Sequence, residues 1–192
     1  MKRIQYNSPV ILSFFLISLL ALFLGNLTGG RLTTALFAVY RAPLTDLLTY
    51  VRFIGHVFGH AGWAHFFNNM MLLLVVGPPL EELYGSRTVA LGILVTALVS
   101  GIFQFVFFPS SMLLGASGIV FMLIMLSSMS GAQEGKLPVT LILVAVMYIG
   151  QEVYSIFFVR DNVANLMHII GGFCGVGVGI LGKRKNKGMN RV

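Results

Sequence analysis

Charge is what this sequence has least of. Only 10% of its 192 residues are Asp, Glu, Lys or Arg, and just six are acidic. A soluble domain carries about 25% charged residues. Below that level, a folded chain of this size cannot cover its surface with polar groups. Hydrophobic types reach 57% and mean hydropathy is +0.89, the composition of an integral membrane protein. The chain also lacks the polar–apolar alternation of a transmembrane β-barrel, which leaves helices as the spanning element. A span needs about 20 residues, so the length admits about six spans with short connections and no large soluble domain. Cysteine is nearly absent as well. Cys174 stands alone, which excludes an internal disulfide and a cysteine-based metal site. In its glycine-rich apolar segment it reads as a small packing residue.

The few charges that are present delimit the spans. None occurs between Arg3 and Arg31, between Arg52 and Glu81, between Arg87 and Glu134, or between Asp161 and Lys183. Glu152 is the one acid inside an apolar stretch, near the outer end of the fifth helix. There it reads as a side chain snorkelling to the interface. Pro109, followed by Ser110 and Ser111, breaks the long third stretch near its middle. Six helices are expected, over about 9–26, 65–84, 87–107, 116–131, 138–157 and 163–182. The first apolar run exceeds the usual 7–15 residues of a signal peptide and no clear small-x-small cleavage site follows, so it reads as a retained span. Glu81 and Glu82 end the second helix before Gly85, a C-cap, and Ser86, an N-cap for the third.

Lys and Arg orient the chain. Lys2, Arg3, Arg87, Lys136, Lys183, Arg184, Lys185, Lys187 and Arg191 fall on one side, against Arg31, Arg41, Arg52 and Arg160 on the other. The richer side is cytoplasmic, so both termini are inside. The organisation expected is one membrane domain over 1–182, a long outer connection at about 27–64 and a basic cytoplasmic tail over 183–192. The tail's charges sit where the orientation rule needs them. The net charge of +7 therefore indicates anionic lipid rather than nucleic acid as the partner. The outer connection is too apolar for a free loop, with Leu36, Phe37, Leu47 and Val51 in it. It reads as helical pieces in the outer interface, with Tyr40, Tyr50 and Trp63 at headgroup level.

Polar residues at depth are the informative ones in a membrane protein. The second, fourth and sixth helices all run from outside to inside, so their first turns share one depth. Those turns contain His65 and Asn69, then Ser117, then Asn165 and His168. Taken singly, each has a plain structural reading: a serine bonding its own i−4 carbonyl, or a histidine bonding across helices. Together they deliver a hydroxyl, an imidazole and a donor pair to one shallow layer. Gly171, Gly175 and Gly179 share a helix face with His168, a pattern that admits close backbone approach. Gly115 and Gly118 flank Ser117 in the run GASG. If the two faces meet, Ser117 and His168 come within hydrogen-bond reach.

On these motifs the sequence resembles the rhomboid family of intramembrane serine proteases. The motifs are GASG at Gly115–Gly118, HVFGHAGWAHFFNN from His56 to Asn69, and HIIGGFCG from His168 to Gly175, in that order within a six-helix chain. The resemblance implies an all-α polytopic fold, a six-helix rhomboid-like bundle in a bacterial cytoplasmic membrane, with its active site towards the extracytoplasmic side. It implies a Ser117 nucleophile and a His168 general base. His65, Asn69 and the backbone N–H of Ser117 would form the oxyanion hole, with Gly115, Gly118, Phe121, Asn165, Gly171 and Gly175 in support. Substrates would be transmembrane segments of other membrane proteins, and no cofactor is needed. The family often has tyrosine where Phe121 stands and a Trp-Arg pair where this chain has Val51-Arg52. Three histidines, His56, His60 and His65, would suffice for zinc. However, no HExxH is present, and the resemblance assigns His56 and His60 to structural hydrogen bonds, so no metal is expected. Two other classes share parts of this pattern: an inactive rhomboid-like pseudoprotease that binds membrane clients, which the presence of both Ser117 and His168 disfavours, and a small transporter, which would place ionisable residues near the midplane.

Overall fold

The computed structural model describes residues 7–130 and 162–189, together with positions 139, 142, 143, 146 and 147. Side chains of the last helix are described from Leu166 to Gly182. Among the described residues the chain is helical, without β-strands. Seven helices follow in order: α1 (Pro9–Leu27), α2 (Arg31–Leu36), α3 (Leu47–Gly55), α4 (Trp63–Tyr84), α5 (Ser86–Phe107), α6 (Ser117–Ser130) and α7 (Asn162–Met189), with a 3₁₀ turn over His56–Phe58 after α3. By length and composition, α1 and α5 qualify as membrane-crossing helices, while Ser117–Ser130 and Leu166–Gly182 are shorter apolar helices. Of the expected helix over 138–157, positions 139, 142, 143, 146 and 147 are described and are helical, whereas Glu152 lies outside the described residues. So do Lys2, Arg3, Lys136, Arg160 and Arg191.

The observed bounds follow the charge map to within a few residues, with two differences. The last helix does not stop at Gly182 but continues to Met189. Lys and Arg are good helix formers and are favoured at a helix C-terminus, so a basic run need not end the helix. Ser86 is not the N-cap of α5 but its first residue. Gly85, at φ +81°, closes α4 and starts α5, and the Ser86 hydroxyl donates to Glu81 Oε1 at 2.7 Å.

Glu81 fastens two helices. Pro9 begins α1 with φ pre-set for a helix, but the first turn still has N–H groups without intrahelical partners. Ser8 supplies no cap. Instead the Glu81 carboxylate, buried at the end of α4, accepts Val10 N–H and Ile11 N–H, each at 3.0 Å. A carboxylate there also meets the positive end of the α1 dipole.

The core centres on α6. Ile119, Val120, Met122, Leu123 and Leu126 are all buried, as expected for a helix apolar on every side. α1, α4, α5 and α7 surround it directly or through the same cluster. The outer connection is indeed built of short helices, but it does not all lie in an interface. Phe53 packs edge-on against Phe105, and the His56–Phe58 turn inserts until the His56 ring reaches the Ala97 carbonyl, half-way along α5. Arg52 is buried beneath it. Its guanidinium pairs with Asp46 at 3.1 Å, donates to the Ala35 carbonyl at 2.9 Å and lies over the Tyr40 ring. Each charge is paired, as burial requires. Val51, in the position before it, points outward and is exposed.

This inserted segment holds the strand-like approach to α6. Val39 and Leu113 exchange both backbone hydrogen bonds at 2.9 Å, and Gly115 N–H donates to the His56 carbonyl at 2.9 Å. Residues 113–115 are therefore fixed before Ser117 begins the helix.

Candidate active site

Ser117 is the first residue of α6. The first intrahelical bond there is Val120 N–H to the Ala116 carbonyl, 2.9 Å. The N–H groups of Ser117, Gly118 and Ile119 precede that bond and point out of the helix end, where the dipole is positive. Ser117 is half-buried. Gly115 turns the chain into this position at φ +130°, a region open to glycine and strained for other residues.

Gly115 is required for a second reason. A Cβ on it would lie 2.9 Å from both Cε1 and Nε2 of His65, so that ring packs edge-on against the Gly115 backbone. On its other side, His65 Nδ1 accepts Ala61 N–H at 3.5 Å. An accepting Nδ1 puts the proton of the neutral ring on Nε2. The N–H of His65 is thereby turned towards the turn that carries Ser117. Asn69, one helical turn further on and buried, donates one of its two amide N–H groups to the His65 carbonyl at 3.1 Å. It holds its place beside His65 through that bond.

His168 comes from α7. Its ring lies flat on Phe121, with centroids 4.3 Å apart and planes 6° from parallel. Phe121 is four residues after Ser117 and so lies on the same face of α6. The backbones of the two helices touch just below: a Cβ on Gly171 would collide with the Gly118 carbonyl, and one on Gly175 with the Met122 carbonyl. Gly118 itself faces the Met167 carbonyl. The glycine faces predicted to meet do meet, and they carry Ser117 and His168 to the same end of the contact. His65 and His168 are also close enough to interact electrostatically. Ser117, His65 and His168 are each half-buried. The side chain of Asn165 lies outside the described residues, although its backbone is in α7.

The other two histidines do separate work. His56 Nε2 faces the Ala97 carbonyl at 3.1 Å and His60 Nδ1 the Phe58 carbonyl at 3.1 Å. Among the described residues the other ring nitrogen of each has no hydrogen-bond partner. Burial therefore pushes both pKa values down to about 4, because a charged ring would bury an unpaired proton. Both are structural hydrogen-bonding rings, and His60 braces His65 edge-on at 5.1 Å between centroids. Among the described residues no group of three or more metal-binding side chains is arranged around an ion position.

Four positions escaped the sequence reading. Ala61 orients His65 through its backbone, and the Val39–Leu113 bridge fixes the approach to Ser117. Asp46 anchors Arg52; it is the lone acid of the outer connection, a signal that was available. Chemically, the cluster offers a hydroxyl at a helix N-terminus, an imidazole from the adjoining helix and an imidazole N–H facing the same turn. That is a donor and acceptor set suited to acyl transfer.

Comparison with known proteins bears on this arrangement. A family model described as Rhomboid domain matches residues 48–185. Among curated relatives, Rhomboid-related protein 2 of Mus musculus is 31% identical over 141 residues, 67% of this chain and 46% of that protein. Rhomboid-related protein 1 of Caenorhabditis elegans is 28% identical over 134 residues, 65% of this chain and 38% of that protein. The chain thus spans under half the length of either relative.

Proposed function

From the premise that the chain belongs to the rhomboid family, we propose that it is an intramembrane serine endopeptidase with Ser117 as nucleophile and His168 as general base. The observation that carries this reading is the packing of α6 on α7 through Gly118 and Gly171, with His168 stacked on Phe121 one turn from Ser117. His168 takes the Ser117 proton as Oγ attacks the scissile carbonyl carbon, and returns it to the departing amine. The tetrahedral oxyanion is held by the Ser117 N–H at the α6 N-terminus and by His65 Nε2–H, with Asn69 beside it. Donors of this kind are worth about 2.7–4 kcal/mol each in other hydrolases. Water then attacks the acyl-enzyme carbonyl as His168 accepts its proton; the bond from the acyl carbon to Ser117 Oγ breaks, His168 returns the proton to Oγ, and the carboxyl product leaves.

The substrate class proposed is the transmembrane segment of another membrane protein. A helix in lipid satisfies its own backbone carbonyls, so the segment must unwind locally to expose the bond. Water must also reach Ser117. In the orientation given by Lys and Arg, the six-span bundle has both termini in the cytoplasm and the site on the far side. Cleavage of a recombinant transmembrane substrate in proteoliposomes tests the reading. Ser117→Ala and His168→Ala should each lower kcat/KM by at least about 10³-fold. Full activity in either variant overturns it.

A further inference from the structure

At the end of α1 opposite the Glu81 fastening, an open pocket of about 500 Å³ has Gly29, Gly30, Arg31, Tyr40 and Arg52 in its lining, and no lining residue is acidic. Arg52 is 4% exposed, yet its bonding capacity is not used up. A guanidinium carries five N–H donors. Three are engaged: Nε–H with the Ala35 carbonyl, and one N–H on each terminal nitrogen with Asp46 Oδ2. Two remain. The other Asp46 oxygen is occupied by Leu48 N–H, so this carboxylate is turned to Arg52 and its own helix. Its charge offsets that of Arg52, which leaves Arg31 as the source of the pocket's net positive charge. Among the described residues the Arg31 side chain makes no hydrogen bond or ion pair, and it is exposed. Nor does the Tyr40 hydroxyl make one, although its ring holds the Arg52 guanidinium at 4.6 Å. A Cβ on Gly29 or Gly30 would meet nothing within 4 Å, so the mouth is clear.

The pocket therefore offers one unpaired cation, a buried and pre-oriented guanidinium with N–H groups to spare, and a free phenolic O–H. Planar guanidinium forks match the oxygens of a phosphate. A fixed fork also loses little side-chain freedom on binding, because Asp46, Ala35 and Tyr40 already hold it. The chain beside the pocket is apolar and exposed: Leu27 ends α1 just before Gly29, and Val51 directly precedes Arg52. A cationic recess bordered by exposed apolar side chains suits the charged head of an amphiphile at an interface. We propose that the Arg31–Tyr40–Arg52 pocket binds a phosphate group, carried by a phospholipid headgroup or free in solution. None of its lining residues belongs to the serine–histidine cluster, so the site stands whether or not that cluster cuts peptides.

Photolabelling of the full chain in neutral detergent, with phosphatidylglycerol that bears a diazirine on its headgroup, tests this. Wild-type protein should be labelled within 29–52 in preference to the peptides of α5, and the label should saturate. Arg31 is exposed and bonds to nothing among the described residues, so its replacement leaves the fold intact. Arg31→Gln should weaken labelling of 29–52 about ten-fold, the value of one charge-assisted hydrogen bond. Arg31→Glu should abolish it and Arg31→Lys should keep most of it, while labelling of α5 stays unchanged in all three. Competition separates the two sources of phosphate. Loss of the label to inorganic phosphate, beyond that caused by sodium chloride at equal ionic strength, assigns the pocket to free phosphate. Loss only to unlabelled phosphatidylglycerol assigns it to the lipid headgroup. Either result supports a phosphate site. Labelling spread evenly between 29–52 and α5, labelling that no phosphate compound displaces better than chloride, or undiminished labelling in folded Arg31→Glu protein overturns the proposal.

Discussion

The imidazole of His168 has its plane set by the face of Phe121. Aromatic stacking contributes about 0.5–1.5 kcal/mol beyond the area it buries. Phe121→Ala should therefore lower kcat/KM by about five-fold through a mispositioned base, for roughly 1 kcal/mol. Phe121→Tyr, which keeps the ring, should retain activity; steady-state cleavage rates decide. His56 makes a prediction of a different kind. Its pKa is about 4 in the folded protein, against 6.5 unfolded. The unfolded chain takes up a proton in that interval and the folded chain does not. The stability this histidine contributes is complete above pH 6.5 and falls as pH drops towards 4. Thermal unfolding in detergent should show a shallower decline over that window for His56→Gln than for the wild type. At this scale the sequence was most informative where chemistry and spacing coincide, as at Ser117, His168 and the His65–Asn69 pair. It was silent on Ala61, because a backbone N–H carries no residue identity.

The helices tell which glycines are needed and why. Gly171 and Gly175 face backbone carbonyls of α6, while Gly177, on the same helix, faces open space. Alanine at 171 or 175 must push α7 away from α6, with an overpacking cost of about 1–3 kcal/mol and a longer path between Ser117 and His168. Alanine at 177 should be neutral or slightly stabilising, because helix propensity improves. Melting temperature and cleavage rate measured together check this: both should fall for the first two variants and neither for the third. The i, i+4, i+8 spacing made that packing face readable in advance. The fastening of α1 by Glu81 was not readable, since the carboxylate and the N–H groups it accepts are 70 and 71 positions apart and no local pattern links them. The insertion of the His56–Phe58 turn beside α5 was also hidden. A short amphipathic segment looks the same whether it floats in an interface or packs into protein.

At the scale of the whole molecule, the scarcity of charge and the clustering of polar residues are two sides of one design. An apolar bundle gathers around α6, and the outer connection reaches into it to fix the turn before Ser117. Among the described residues, Ser117, His65, Asn69 and His168 gather at one end of that central helix, and the buried Arg52 is paired with Asp46. The bounds of the described long helices were legible from charge gaps to within a few residues, apart from the C-terminal end of α7, and the family from three short motifs. The depth of the outer connection required the fold. The central claim is that Ser117 is an activated nucleophile and that His168 activates it. Labelling of the full-length protein in detergent with a fluorophosphonate, mapped by mass spectrometry, tests that claim most directly. The account predicts a single adduct on Ser117, reduced at least about 10³-fold in rate in His168→Ala. Absence of an adduct in folded wild-type protein, or labelling that proceeds unchanged without His168, contradicts it.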